Sequence, residues 1–161
     1  MCFVLWKEKL VVFCRLPRAD KWLLLHAVAR LACARIMIAA LSFRRLSACL
    51  SGAEDATRLE SDPEVLYRIG RAVSFAANNV PWRADCFPQV IAARMLLRRY
   101  GYTSCIHLGV ARIGDDELTG HAWITCGETV VIGGELRERY TELYVLQENR
   151  KQGKISLANT E

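Results

Sequence analysis

The stretch "DCFPQVIAARMLLRRYG", residues 85–101, decides how the chain is read. Val90, Ile91, Met95, Leu96 and Leu97 recur at helical spacing, Arg98 and Arg99 follow where cations suit a helix C-terminus, and Gly101 stands where a C-terminal cap belongs. The spacing predicts a helix from Cys86 to Tyr100. A thiol at its first residue meets free backbone N–H groups and the positive end of the helix dipole, and both favour the nucleophilic thiolate. Whether Cys86 is that nucleophile or a small buried hydrophobe depends on what the rest of the chain brings to it.

Downstream the apolar period changes to two. Ile106, Leu108 and Val110 alternate with His107, Gly109 and Ala111, which reads as a strand. "GDDELTG", residues 114–120, turns the chain, and "HAWITC", residues 121–126, alternates again, with His121 and Trp123 on one face and Ala122 and Ile124 on the other. Gly127 then introduces a third strand over 128–132. Upstream, Asp62, Pro63 and Glu64 make a strong helix start, and Val65, Leu66, Ile69 and Val73 carry that helix through 63–78 until "NNVPWRAD" breaks it. The expected fold class is therefore α+β, a helical N-terminal part followed by a Cys-bearing helix packed on an antiparallel sheet. Residues 1–50 form a basic helical region, the polar and acidic 51–62 a linker, and 63–161 the core, with 1–50 packed on it as one unit.

Residues 20–47 are apolar enough to raise the question of a membrane anchor. Arg30 and Arg35 interrupt them, and the longest charge-free run that follows, Ile36 to Phe43, is far short of the roughly 20 residues that a span requires. A signal peptide fits no better, since its apolar region would begin beyond residue 20 with no convincing cleavage site after it. The expectation is a helix with a broad apolar side, largely buried, and no membrane span.

With 161 residues, 52% of them hydrophobic, the chain can build one ordinary core. Its seven cysteines are odd in number, irregularly spaced and without a CxxC pair, which argues for reduced thiols and a cytoplasmic setting. Together with three histidines they never fall at zinc-ligand spacing, so no metal is expected. Nine Lys and Arg stand against Glu8 and Asp20 in the first fifty residues, whereas the remainder is slightly acidic. A basic N-terminal surface including Lys7, Lys9, Arg15, Arg18 and Lys21 suits an acidic peptide, a partner protein, nucleic acid or an anionic membrane, or is a solvated face. No motif favours nucleic acid.

A cysteine nucleophile needs an imidazole to take its proton and return it to a leaving amine. His121, 35 residues after Cys86, is the first candidate, and His107 on the preceding strand is the other. The backbone N–H of Cys86 and the indole N–H of Trp82 are candidate oxyanion donors, although Trp82 reads equally well as a core residue bracing the loop. Cys2, Cys14, Cys33, Cys49, Cys105 and Cys126 read as small structural hydrophobes.

Residues 80–134 resemble the leader peptidases of lasso-peptide biosynthesis, a bacterial family with a transglutaminase-like, papain-related fold. The resemblance rests on Trp82, Arg83, Cys86, Phe87 and Pro88, then on Leu96 to Arg99, Gly101, Gly109 and Val110, and on Gly120 to Trp123. "RLPRADKWLLLHAVARL", residues 15–31, and "SFRRL", residues 42–46, extend it over nearly the whole chain. It implies Cys86 as nucleophile and His121 as base and acid, with no cofactor. It also implies cleavage of the leader from a lasso precursor peptide, which frees the core amine for a separate ATP-dependent cyclase. The family occurs fused to a leader-recognition domain or split from it, and 161 residues match the split form, with a separate leader-recognition protein as partner. Family members commonly place an aspartate twelve residues after the histidine, where this chain has Gly133. Glu135 and Glu128 are the nearest carboxylates, Asp115 and Asp116 sit in the preceding turn, and Glu135 is the candidate third member. The same Cys–His pair would also serve a transglutaminase-like acyltransferase, and a helical adaptor with a buried Cys86 is the non-enzymatic alternative.

Overall fold

The computed structural model describes residues 17–51, 62–113 and 117–147. Four α-helices come first: α1 (Arg18–Ala40), α2 (Phe43–Ser51), α3 (Pro63–Ala77) and α4 (Cys86–Arg99). The single helix expected over 20–47 is two, because Leu41 adopts an extended conformation at φ −111° and ψ 141° and redirects the chain. That turn lets Leu46 and Leu50 of α2 reach the same core as Leu23, Ala27, Leu31 and Ala34 of α1. The expectation of a largely buried first helix is also corrected. α1 is apolar nearly all round, but α3 and α4 cover one stripe only, leaving Trp22, Leu25 and Ile36 at 65%, 51% and 67% exposure. It is long and apolar enough to cross a membrane. The linker expected over 51–62 falls outside the described residues except for Ser51, which ends α2, and Asp62, which opens α3.

The predicted start of α3 and the predicted stop of α4 are built by the residues that announced them. Asp62 Oδ1 accepts from the Glu64 N–H at 2.9 Å, with Pro63 at the first helical position, where its missing N–H costs nothing. α4 closes by a Schellman motif: Gly101, at φ 78°, donates to the Arg98 carbonyl, and Tyr102 donates to that of Leu97, both at 2.9 Å. Between these ends α4 lies against α1 and α3 on one side and the sheet on the other. Val90, Ile91, Ala92, Ala93, Leu96 and Leu97 are consequently all fully buried. So is Arg94, whose residue type suggests solvent although its spacing from Val90, Ile91 and Leu97 puts it on the apolar face. Its guanidinium donates to the carbonyls of Leu50 at 3.0 Å and Ser104 at 2.7 Å, and to that of Leu146. One side chain thus joins the end of α2, the approach to the first strand and the last strand, using the planar fork that Arg alone offers.

The sheet contains β1 (Cys105–Ile113), β2 (Glu117–Cys126), β3 (Thr129–Ile132) and β4 (Thr141–Gln147), all antiparallel, in the order β3-β2-β1-β4. β1 and β2 run longer than their apolar alternation suggests, since their pairing continues to Ile113 opposite Glu117. Gly127, at φ 58°, opens the two-residue β2–β3 turn. β4 has no period-2 signature: Leu143 is bulged and only Leu146 is buried, so this edge strand went unread in the sequence. Ile106, Ala122 and Ile124 join the helical core, while His107, His121 and Trp123 alternate onto the other face. A 3-10 helix, Gly134–Arg139, and Tyr140 carry the chain from the β3 edge to the β4 edge across that second face. Gly109 allows this crossing, because a Cβ there would stand 3.0 Å from both the Trp123 ring and Tyr140.

Candidate active site

Cys86 opens α4 and is a half-buried free thiol, beside the unpaired N–H groups of the first helical turn. The loop that delivers it is held from one turn further on, where Gln89 Nε2 donates to the Ala84 carbonyl at 2.8 Å. β3 ends at Ile132, opposite Ile124, so among the described residues the part of β2 that carries His121 has no neighbouring strand on that side. At this open edge lies a cleft of about 370 Å³ lined by Cys86, Gln89, His121, Gly133 and Glu135, with α3 supplying the far wall. The candidate nucleophile, imidazole and carboxylate therefore share one cleft, although they come from a helix, a strand and a 3-10 helix.

His121 Nε2 lies 2.8 Å from the carbonyl oxygen of Gly133. A carbonyl only accepts, so Nε2 carries the proton in this bond, and Nδ1 is the basic nitrogen of the neutral ring. The position where the resemblance leads one to expect an aspartate thus orients the imidazole through its main chain. Gly133 makes this possible. It sits at φ 80°, and a Cβ would stand 2.7 Å from the Ala122 carbonyl oxygen and 3.1 Å from Trp123 Cα, so no side chain fits while the backbone passes this close to β2. Tyr140 packs on the imidazole from the crossover, with ring centroids 5.0 Å apart. Glu135 lines the cleft but takes no hydrogen bond from His121.

The other sequence candidates are placed elsewhere. Both ring nitrogens of His107 are engaged, Nδ1 with Glu142 at 2.6 Å and Nε2 with Thr125 at 3.0 Å, and its ring stacks on Trp123 at 5.3 Å. Glu128 is in the β2–β3 turn, at the end of the hairpin opposite His121. Asp115 and Asp116 lie outside the described residues, as do Cys2 and Cys14. Among the remaining thiols Cys126 is buried, as a small hydrophobe should be, and Cys49 is exposed. Trp82 packs against the core, and its Nε1–H is buried without a hydrogen-bond partner among the described residues. A buried donor left unpaired costs roughly 1–3 kcal/mol, and Trp82 is not among the residues that line the cleft.

A sequence profile described as the transglutaminase-like superfamily matches residues 24–145. The chain belongs to the transglutaminase-like superfamily. The match runs from α1 into β4, so the helices that precede the cysteine are part of the family domain. A fold of the Cys–His protease and acyltransferase type is what this superfamily carries, consistent with α+β and with the Cys86–His121 cleft. No curated protein and no solved structure gives a significant match to the chain. Sequence reasoning did not find Gln89, Tyr140 or the α3 wall formed by Tyr67, Arg71 and Ser74. Gln89 had a signal, one helical turn after the cysteine; the others became neighbours of the site only through chain crossings.

Proposed function

We propose that this superfamily member is a cysteine endopeptidase that removes the leader from a lasso precursor peptide in the cytoplasm, where its thiols stay reduced. The observation that carries the reading is the shared cleft, in which Cys86 starts a helix and His121 is held as its Nε2–H tautomer by the Gly133 carbonyl. In the reaction, the Cys86 proton passes to Nδ1 of His121 and Sγ bonds to the scissile carbonyl carbon, whose oxygen takes the electron pair. The backbone N–H of Cys86 donates to that oxyanion. Collapse breaks the C–N bond, the imidazolium protonates the departing amine, and a thioester remains on Cys86. Water, deprotonated by His121, then cleaves the thioester and restores the thiol. Glu135 contributes its charge to the imidazolium from the same cleft, while the Gly133 carbonyl fixes the ring.

The amine released is that of the core peptide, free for ring closure by a separate ATP-dependent cyclase. A separate leader-recognition protein brings the precursor, because an open cleft gives little selectivity by itself and tethering raises the local concentration of the scissile bond. The test is mass spectrometry of intact precursor after incubation with the chain, with and without an added small primary amine. Cleavage at one bond supports the peptidase. Precursor joined to the added amine would make the chain an acyltransferase, and bound but unchanged precursor would make it an adaptor.

A further inference from the structure

The two walls of the cleft differ in charge. α3 contributes Tyr67, Gly70, Arg71 and Ser74, whose spacing puts them on one face of the helix, while Glu135 stands on the wall beyond β3. The two arginines of α3 are treated differently. Arg68 donates to Asp20 Oδ1 at 2.5 Å, and this partner raises its pKa above the usual guanidinium value. Arg71 lies over the Tyr67 ring instead, 5.6 Å from its centroid, and makes no ion pair among the described residues. An aromatic face steadies a guanidinium without neutralising it or occupying its N–H fork. Tyr67 and Arg71 also border a second groove, between α1 and α3, so together they form a ridge open on both sides. Gly70 brings this ridge close to the site, since a Cβ there would stand 2.4 Å from the Val131 carbonyl oxygen.

We propose that Arg71 is the anchor of a carboxylate subsite that takes an aspartate or glutamate side chain of the substrate, near the bond that Cys86 attacks. This rests on the reading of the substrate as a peptide. A planar fork held by a ring is suited to bidentate capture of a carboxylate, and a partly enclosed cleft strengthens that pairing relative to open solvent. Glu135 opposite disfavours a second negative group, which gives the cleft a direction: acidic residue toward α3, neutral or basic residue toward the 3-10 helix.

Two measurements on the full chain test this. The first compares alkylation of Cys86 by iodoacetate and by iodoacetamide, nearly equal in size and different in charge, read on the Cys86-containing peptide by mass spectrometry at low salt. Any effect of Arg71 on thiolate content cancels in the ratio of the two rates. Arg71→Gln is expected to lower the iodoacetate-to-iodoacetamide ratio about threefold or more, a difference that salt diminishes. Arg99→Gln, an exposed change at the other end of α4, about 20 Å along the helix, should leave it unaltered. A ratio indifferent to Arg71→Gln overturns the subsite. The second measures cleavage of precursor in which each acidic residue near the cut is replaced by its amide. One such change should slow the wild type roughly tenfold and the Arg71→Gln variant much less. Equal slowing in both variants overturns the assignment to a substrate side chain. If the ratio responds while no precursor is cut, the subsite stands and the peptidase reading fails.

Discussion

Cys86 and His121 carry distinguishable predictions at the residue scale. Cys86→Ala should lower precursor cleavage by about three orders of magnitude or more with no loss of fold, because the side chain at this half-buried helix start is small. Cys105→Ala is the matched control and should retain activity. His121→Ala should be nearly as damaging, and His107→Ala should not, since its nitrogens are already committed to Glu142 and Thr125. A cleavage assay in which the two histidines exchange behaviour would move the base to β1. Glu135→Gln should cost only part of the rate, because the tautomer is held by a main-chain carbonyl that the substitution does not touch. Gly133 is the sharper position. Gly133→Asp introduces the residue that the resemblance leads one to expect there, yet it forces a Cβ against the Ala122 carbonyl at positive φ, with an expected cost of about 1–3 kcal/mol. Urea denaturation measures that loss; an Asp variant as stable and active as the wild type would mean that the chain can separate here at little cost.

Close approach of backbones decides the site at the element scale. β3 carries one extra residue, Val131, opposite the step from Ile124 to Thr125, and the carbonyl of Val131 lies over Gly70 of α3. Gly70→Ala must push α3 away from β3 at the floor of the cleft. The expected result is a loss of roughly 1–3 kcal/mol and a fall in turnover larger than the fall in folded fraction, read from parallel melting and cleavage measurements. Arg94 is the other element-level device. Replacing it with Met keeps much of its volume but leaves the carbonyls of Leu50, Ser104 and Leu146 without this donor, at an expected cost of about 3 kcal/mol or more. Arg94→Lys should not rescue it, since an ammonium cannot reach three carbonyls with one planar fork.

The whole molecule joins a helical layer, a sheet and an open cleft at the edge between them. With so open a cleft, cleavage by the chain alone should be slow, and a leader-recognition protein should raise the rate until it saturates with partner concentration. If the basic N-terminal surface docks that partner, high salt should lower the association rate more than the final rate. Of the cations expected there, Arg18 and Lys21 lie on the first turn of α1, whereas Lys7, Lys9 and Arg15 fall outside the described residues. A cleavage rate indifferent to the partner would mean that the cleft itself recognises the leader.

What the sequence by itself determined was local: the α+β order, the start of α3 at Asp62, the span of α4 from Cys86 to its glycine cap, and the strand with His121. Those features are written in periodicities of 3.6 and 2 and in capping residues, which act over a few positions and need no distant partner. The helix break at Leu41, the exposed outer side of α1, the burial of Arg94 and the pairing of β4 were decided by tertiary packing, because each depends on which surface happens to face it. The same holds within the site. A main-chain carbonyl leaves no trace in residue type, so the hydrogen bond from His121 to Gly133 could be found only once the crossover and β2 were seen to touch.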